Sequence, residues 1–191
     1  HSCARRQRQM CIRDRYHVQP LSLEAFGENL HNFPAVTISV CNLNPTSRGH
    51  VRIKSSNFWD APKISPNYLT TDDDKKVVID SLRQVRKIMG QSAMAKYQPE
   101  EFKPGLQHQS DEELGSLAGD IANTIFHPVG TVKMGNVNDP TAVLDPHLKV
   151  KGVLGLRVVD ASIMPQITSG NTNSPTLMIA EKAAAWILSG S

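Results

Sequence analysis

The 191-residue chain lacks the features that define several common classes of protein. Of its three cysteines only Cys41 lies beyond the first fifteen residues, so the body of the chain cannot form an intrachain disulfide. It contains no run of about eighteen apolar residues, the length that a membrane-spanning helix needs. It also lacks the G-x-G-x-x-G turn of dinucleotide-binding folds. The first two absences predict a cytoplasmic protein with no transmembrane segment, and they leave peripheral attachment to the inner membrane open.

Positive charge is concentrated at one end of the chain. Residues 1–15 contain five arginines and one aspartate, whereas the whole chain carries a net charge of only +3. The remainder is therefore nearly neutral, which gives no support to a nucleic-acid partner. The segment resembles translated adapter sequence, so we interpret residues 1–15 as a non-native leader and leave them out of the fold prediction. An arginine-rich arm that binds nucleic acid is the alternative.

Short β-rich runs and capped helices alternate in the body, which predicts an α+β fold. Residues 35–41 and 50–55 read as strands that form a hairpin or lie side by side, with Val51 and Ile53 facing inward. Residues 60–69 contain two prolines and predict an extended loop. Short strands are predicted at 148–150 and 156–160, the second ending in Asp160.

Three helices are predicted from their caps and apolar spacing. The first is capped by Thr71, has a stripe of Val78, Leu82, Val85 and Met89, and ends at Gly90. The second starts at a capping box of Ser110 and Glu113 and ends near Ile125. The last starts with Ser174 as cap and Pro175 at the first helical position, is largely buried, and ends at Gly190.

Two loops carry the residues best suited to chemistry. His127 lies in HPVGTVKMG and could exchange a proton with a hydroxyl, although the spacing alone favours a structural histidine bonded to a backbone carbonyl. Asn171 and Asn173 lie in SGNTNSP, immediately before a helix amino terminus that favours negative charge. Asparagine is also common in ordinary loops. A metal site of His108, His127 and His147, or a nucleophile at Ser169 or Ser174, lacks the expected ligand spacing or motif.

HPVGTVKMG, together with VLDPHLKVKGVLGLRVVDASIMPQITSGNTNSPTLMIAEKAAAWI, resembles the carboxyl-terminal region of the glucose–methanol–choline oxidoreductases. NPTSRGHVRIKS and PKISPNYLTTDDD are similar to the substrate domain of the same family. The resemblance runs from about Pro34 to Ile187 and is closest to the choline- and alcohol-dehydrogenase-like branch. It implies that the chain corresponds to the carboxyl-terminal third of a longer enzyme, with residues 16–150 in the substrate-binding domain and 151–191 in the α/β FAD-binding domain.

The resemblance also implies an activity and its residues. An FAD enzyme of this type oxidises a CH–OH group of a small alcohol to a carbonyl by hydride transfer to the flavin, with oxygen or a quinone-type molecule as the electron acceptor. The catalytic positions fall on His127 and Asn171. The flavin-contacting positions are Asp160, Ala161, Thr172, Asn173, Pro175 and Thr176. Two alternatives stay open: a hydroxynitrile lyase of the same fold, and a truncated piece that is inactive by itself.

Overall fold

In the computed structural model, residues 14–25 and 27–190 are described, and helices and strands are both present. They form two compact units: one comprises the chain up to Arg48 with Asn67–Asn123, and the other comprises Gly49–Pro66 with Thr124 onward. The predicted division at residues 150 and 151 lies inside the second unit, and the assignment of substrate and flavin domains stays a prediction. Residues 1–13 of the predicted leader lie outside the described residues.

The first unit contains a two-stranded antiparallel sheet. Strand β1 (Asp14–Gln19) pairs with β2 (Thr37–Asn42), with Asp14 opposite Asn42 and Gln19 opposite Thr37. The sequence did not predict β1, which begins within the segment set aside as a leader. The predicted pairing of the strand near 35–41 with 50–55 is wrong, because the backbone of β2 bonds to β1 instead.

Two capped α-helices pack against each other in the first unit. Helix α1 (Asp72–Met89) begins at Thr71, whose hydroxyl accepts the Asp74 N–H, and ends at Gly90, as predicted. Its apolar stripe is half-buried, while the fully buried positions are Asp74, Ile79 and Ser81. A 3₁₀ turn (Ser92–Tyr97) follows.

Helix α2 (Asp111–Ile121) has the predicted capping box of Ser110 and Glu113. It buries Leu114 and Ala118 and ends at Ile121, earlier than predicted, because the Ala122 backbone is extended. The hydroxyl of Ser110 and then the ring of His108 lower the pKa of the exposed Glu113 carboxyl to about 2.

The second unit contains a short hairpin. Strand β3 (His50–Arg52) pairs antiparallel with β4 (Lys63–Ser65), which lies in the region predicted to be loop. The prediction that Val51 and Ile53 face inward is wrong, since Ile53 is 89% exposed and Val51 is also exposed. A hairpin with three paired residues per strand buries little apolar surface. The alternation of apolar and charged residues at 50–55 therefore did not correspond to a buried face.

The remainder of the second unit is built around helix α3 (Asn173–Leu188). Its N-cap is Thr172, so the predicted cap at Ser174 is two residues late and Pro175 is the third helical residue. Ile179 and Ala183 pack into a buried cluster with Leu144, Leu148, Ile163 and Met164. The prediction of a largely buried helix holds only for this side, because Leu177 and Ile187 are exposed.

Irregular backbone, rather than sheet, covers the other side of this cluster. The two strands predicted at 148–150 and 156–160 meet only in an isolated antiparallel bridge between Lys149 and Arg157. A 3₁₀ turn (Ala161–Ile163) then leads toward α3. Among the helices of the described residues, none has both the length and the apolar character that crossing a membrane requires.

Candidate active site

The loop that carries His127 begins with an unusual backbone conformation. Phe126 has φ of +62°, in the left-handed region that costs an L-residue roughly 1–2 kcal/mol, and its N–H is bonded to the Thr124 hydroxyl at 3.1 Å. His127 follows immediately, is half-buried and precedes Pro128, which disfavours a helical conformation for it. Strain of this kind persists where the surrounding structure fixes the chain. Nothing in the residues around Phe126 predicts this conformation.

The His127 loop is fastened to the segment that follows Asp160. The N–H of Val132 donates to the Ser162 carbonyl at 3.1 Å, and the N–H of Met134 donates to the Ile163 carbonyl at 2.8 Å. Two residues before Val132, Gly130 has φ of +87°, and a Cβ there would lie 3.4 Å from the Met164 carbonyl oxygen. Glycine is therefore suited to this position by conformation as well as by space.

The segment that follows Asp160 is stabilised by a hydrogen bond within its own turn and by packing against the buried cluster. The Asp160 carboxylate accepts the Ser162 N–H at 2.8 Å, which closes the 3₁₀ turn. Ile163 and Met164 then enter the cluster buried beneath α3, and Val129 and Val132 from the His127 loop pack on the same cluster. One small core thus supports both loops that the sequence singled out.

The two loops meet at a hydrogen bond between His127 and Thr172. The Nδ1 atom of His127 lies 3.1 Å from the Thr172 hydroxyl oxygen. Thr172 is only 8% exposed, and its carbonyl accepts the N–H and the hydroxyl of Thr176 at 3.0 and 2.6 Å. For Nε2, the other ring nitrogen of His127, no partner is found among the described residues. The ring is therefore held at one nitrogen and open at the other.

The amino terminus of α3 has no side-chain cap among the described residues. The N–H groups of a first helical turn have no intrahelical acceptors and carry a partial positive charge. Asn173 and Ser174, which are both exposed residues, carry such groups, while Pro175 has no N–H. Within the described part of the chain, no carboxylate forms an ion pair with His127. The site can therefore accept a proton and stabilise an anion.

The predicted site residues occupy unequal positions around this contact. Asn171 is exposed and directly precedes Thr172, and Asn173 is exposed at the start of α3. Pro175 and Thr176 are half-buried in the first turn. Ala161 packs against the core, and the exposed Asp160 caps its own turn. The direct contact of Thr172 with the histidine was not predicted, because the two residues lie 45 positions apart and no local pattern in the sequence indicates their contact.

The three histidines considered as a metal site make separate contacts. His108 pairs with Glu113 at 3.2 Å, and the exposed His147 lies against the Trp186 ring at a centroid distance of 5.0 Å. His127 bonds to Thr172.

Several proteins with established names are similar to the chain. The chain is 43% identical to the "alcohol dehydrogenase [acceptor]" of Pseudomonas putida over 91% of its own length and 31% of that protein. It is also 43% identical to mouse mitochondrial choline dehydrogenase, over 88% of the chain and 28% of the relative. Pyridoxine 4-oxidase from Mesorbium loti superposes with a TM-score of 0.75 at 33% identity, over 84% of this chain and 31% of that one.

These relatives are much longer than the chain, which spans about 30% of their length. The family model described as GMC oxidoreductase matches residues 45–180. This range contains His127, Thr172 and the loops that join them, and it covers well over half of the sequence. The chain therefore belongs to the GMC oxidoreductase family, as the resemblance of its motifs predicted.

Proposed function

We propose that this chain supplies the proton-transfer side of an FAD-dependent enzyme that oxidises a CH–OH group to a carbonyl. The observation that carries the proposal is the half-buried His127, held through Nδ1 and open at Nε2, beside an uncapped helix amino terminus. The relatives named alcohol dehydrogenase and choline dehydrogenase support the same class of reaction. The substrate is accordingly a small alcohol.

The residues present fit one part of a flavin. The uncapped first turn of α3 presents N–H groups and a helix dipole that would stabilise negative charge on a bound flavin ring. Asn173 and Ser174 would hold that side of the ring through their N–H groups, with Thr176, Asp160 and Ala161 near it. Bound FAD would supply the acceptor for the hydride that leaves the carbinol carbon.

The residues of the chain would handle the proton and the oxygen. His127 would take the hydroxyl proton at Nε2 while its Nδ1 stays bonded to Thr172. Asn171 would donate a hydrogen bond from its side-chain amide to the same substrate oxygen, fixing the orientation of the C–H bond. The strained turn at Phe126 and the backbone bonds to Ser162 and Ile163 keep the imidazole in place, and positioning of this kind lowers the barrier of a proton transfer.

The direct test is the rate of flavin reduction in the flavin-loaded enzyme that contains this chain. Mixed anaerobically with choline or a simple primary alcohol, the His127→Ala variant should reduce its flavin about 10²–10⁴-fold more slowly, the range for a positioned acid–base group. His147→Ala is the matched control, because His147 is exposed against Trp186 and should leave the rate unchanged.

Two results would contradict the proposal. An unchanged reduction rate in His127→Ala would remove the histidine from the reaction. A flavin that no alcohol reduces, in an enzyme that cleaves cyanohydrins, would assign the site to the lyase class instead.

A further inference from the structure

We propose that Thr172 is a positioning residue for the reaction: its hydroxyl oxygen accepts the Nδ1–H of His127 and so leaves Nε2 as the unprotonated nitrogen. The inference rests on the proposed function, because it explains how the histidine is kept ready to accept the substrate proton. It assigns to Thr172 a role toward His127 in place of the flavin contact that the family resemblance implied.

The hydroxyl of Thr172 is used differently from those of the other helix caps in the molecule. In the part of the chain that the structure describes, three α-helices begin at Thr71, Ser110 and Thr172. The first two caps are extended, with ψ of 150° and 155°, and each hydroxyl accepts an N–H of its own first turn. Thr172 has ψ of −6° and caps nothing with its side chain. Its hydroxyl is used instead for the imidazole 45 residues earlier.

The direction of the hydrogen bond follows from the chemistry required of Nε2. A neutral imidazole carries one proton, so the nitrogen that is to receive the substrate proton must be the one without it. If Nδ1 carries the proton, it donates to Thr172 both before and after Nε2 is protonated. If Thr172 donated to Nδ1, Nε2 would already hold a proton and could not act as a base.

The support of Thr172 makes it effective for this purpose. Its carbonyl is fixed by two bonds from Thr176, and α3 is anchored in the core through Ile179 and Ala183. A hydroxyl on such a rigid base defines the position and the ring plane of the histidine better than one on a free loop would.

The tautomer can be measured directly in the full chain labelled with ¹⁵N at histidine. The ¹⁵N shifts of His127, assigned by comparison with His127→Gln, report which ring nitrogen carries the proton. We expect the Nδ1–H form in the wild type and in Thr172→Ser, and a shift toward the Nε2–H form in Thr172→Val. An Nε2–H wild type, or identical spectra in the wild type and Thr172→Val, would overturn the inference.

Flavin reduction in the complete flavin-loaded enzyme gives the second measurement. Thr172→Val should slow reduction by about 10–100-fold, the range for partners that orient a functional histidine, with little change in substrate affinity, and Thr172→Ser should restore most of the rate. A merely structural hydroxyl would not give this serine rescue together with the tautomer change. Thr71→Val, which removes a true cap, should lower the unfolding midpoint while leaving the rate unchanged.

The same variants distinguish failure of the proposed function from failure of the positioning role of Thr172. If His127→Ala reduces its flavin at the normal rate, the proposed function is wrong whatever Thr172 does. If His127→Ala is slow but Thr172→Val matches the wild type in both tautomer and rate, the proposed function stands and the positioning role is refuted. A tautomer change without any change in rate also refutes it.

Discussion

Asp74 should be one of the most sensitive positions of the first unit, although it lies on the first turn of a helix where acidic residues are usually exposed. The residue is only 3% exposed. One oxygen accepts the Asn42 amide at 3.1 Å and the Thr46 N–H at 2.8 Å, and the other accepts the Ser47 N–H at 2.9 Å. The side chain thereby ties α1 to the segment that leaves β2.

The magnitude for Asp74→Asn can be worked out from these contacts. An amide has one acceptor oxygen, so either Thr46 or Ser47 would face an N–H₂ group with its own N–H unpaired, at about 1–3 kcal/mol. The bonds that remain lose their charge, at about 1 kcal/mol each, while a neutral group is less costly to bury. The free energy of opening α1 should fall by about 2–4 kcal/mol. Asp73→Asn, on the same turn but exposed, should cost under about 1 kcal/mol.

Hydrogen–deuterium exchange of peptides from α1 measures this opening without requiring the two units to unfold together. Burial raises the pKa of Asp74, but the bonds from Ser47 and Thr46 together outweigh it, so that the pKa lies below the ordinary 3.8. The stability it contributes is therefore complete above about pH 4 and lost as pH falls through the lowered pKa. Equal exchange in the Asp74 and Asp73 variants would refute the reasoning.

Three further predictions concern other parts of the fold. Gly135→Ala should destabilise by about 1–3 kcal/mol in thermal unfolding, since its Cβ would lie 2.7 Å from that of Ala142, and adding Ala142→Gly should recover part of the loss. The cap hydroxyl lowers the pKa of Glu113 to about 2, so the stability difference between the wild type and Glu113→Gln should be full above pH 4.5 and disappear as pH falls toward 2, as followed by circular dichroism. Arg86→Leu should cost about 2–4 kcal/mol in urea unfolding because it leaves a largely buried carboxylate unpaired, whereas Arg83→Leu, at an exposed ion pair, should cost under about 1 kcal/mol.

Local chemistry made the helices of the first unit predictable. Thr71 with three aspartates, and Ser110 with Glu113, contain their capping partners within four residues of sequence, so the beginnings of α1 and α2 could be read directly. The end of α1 at Gly90 was equally local. The start of α3 was misplaced because its cap, Thr172, makes no cap bond, and a serine followed by proline was the stronger local signal.

Strand pairing could not be read in this way, because it depends on residues far apart in the chain. After β2 the chain does not turn back as a hairpin: the N–H groups of Thr46 and Ser47 are taken by Asp74, 27 or more residues later. That contact draws the segment toward α1 and away from pairing with β2. An alternating pattern at 50–55 specified a strand but carried no information about its partner.

The candidate site shows the same division between local and distant information. The motifs around His127 and Asn171 indicated two functional loops and, through the family resemblance, one common purpose. The hydrogen bond that joins the two loops could not be predicted from the sequence. A threonine whose hydroxyl caps its own helix and a threonine whose hydroxyl bonds to a distant histidine have the same local sequence.

Because the Thr172 hydroxyl bonds to His127 and does not cap α3, the helix loses the stability that a side-chain cap provides, and the rest of the second unit has to offset this loss. A side-chain cap typically contributes about 1 kcal/mol to a helix, and α3 begins without one. The helix is kept in place instead by Ile179 and Ala183, which are almost fully buried in the core that also supports the His127 loop. Stability lost at the uncapped end is thus regained in packing, and the same uncapped end leaves its N–H groups available for negative charge. The position of the helix, the proposed orientation of the histidine and the proposed stabilisation of an anion would therefore depend on one another, because Thr172 is both the N-cap residue of α3 and the hydrogen-bond partner of His127.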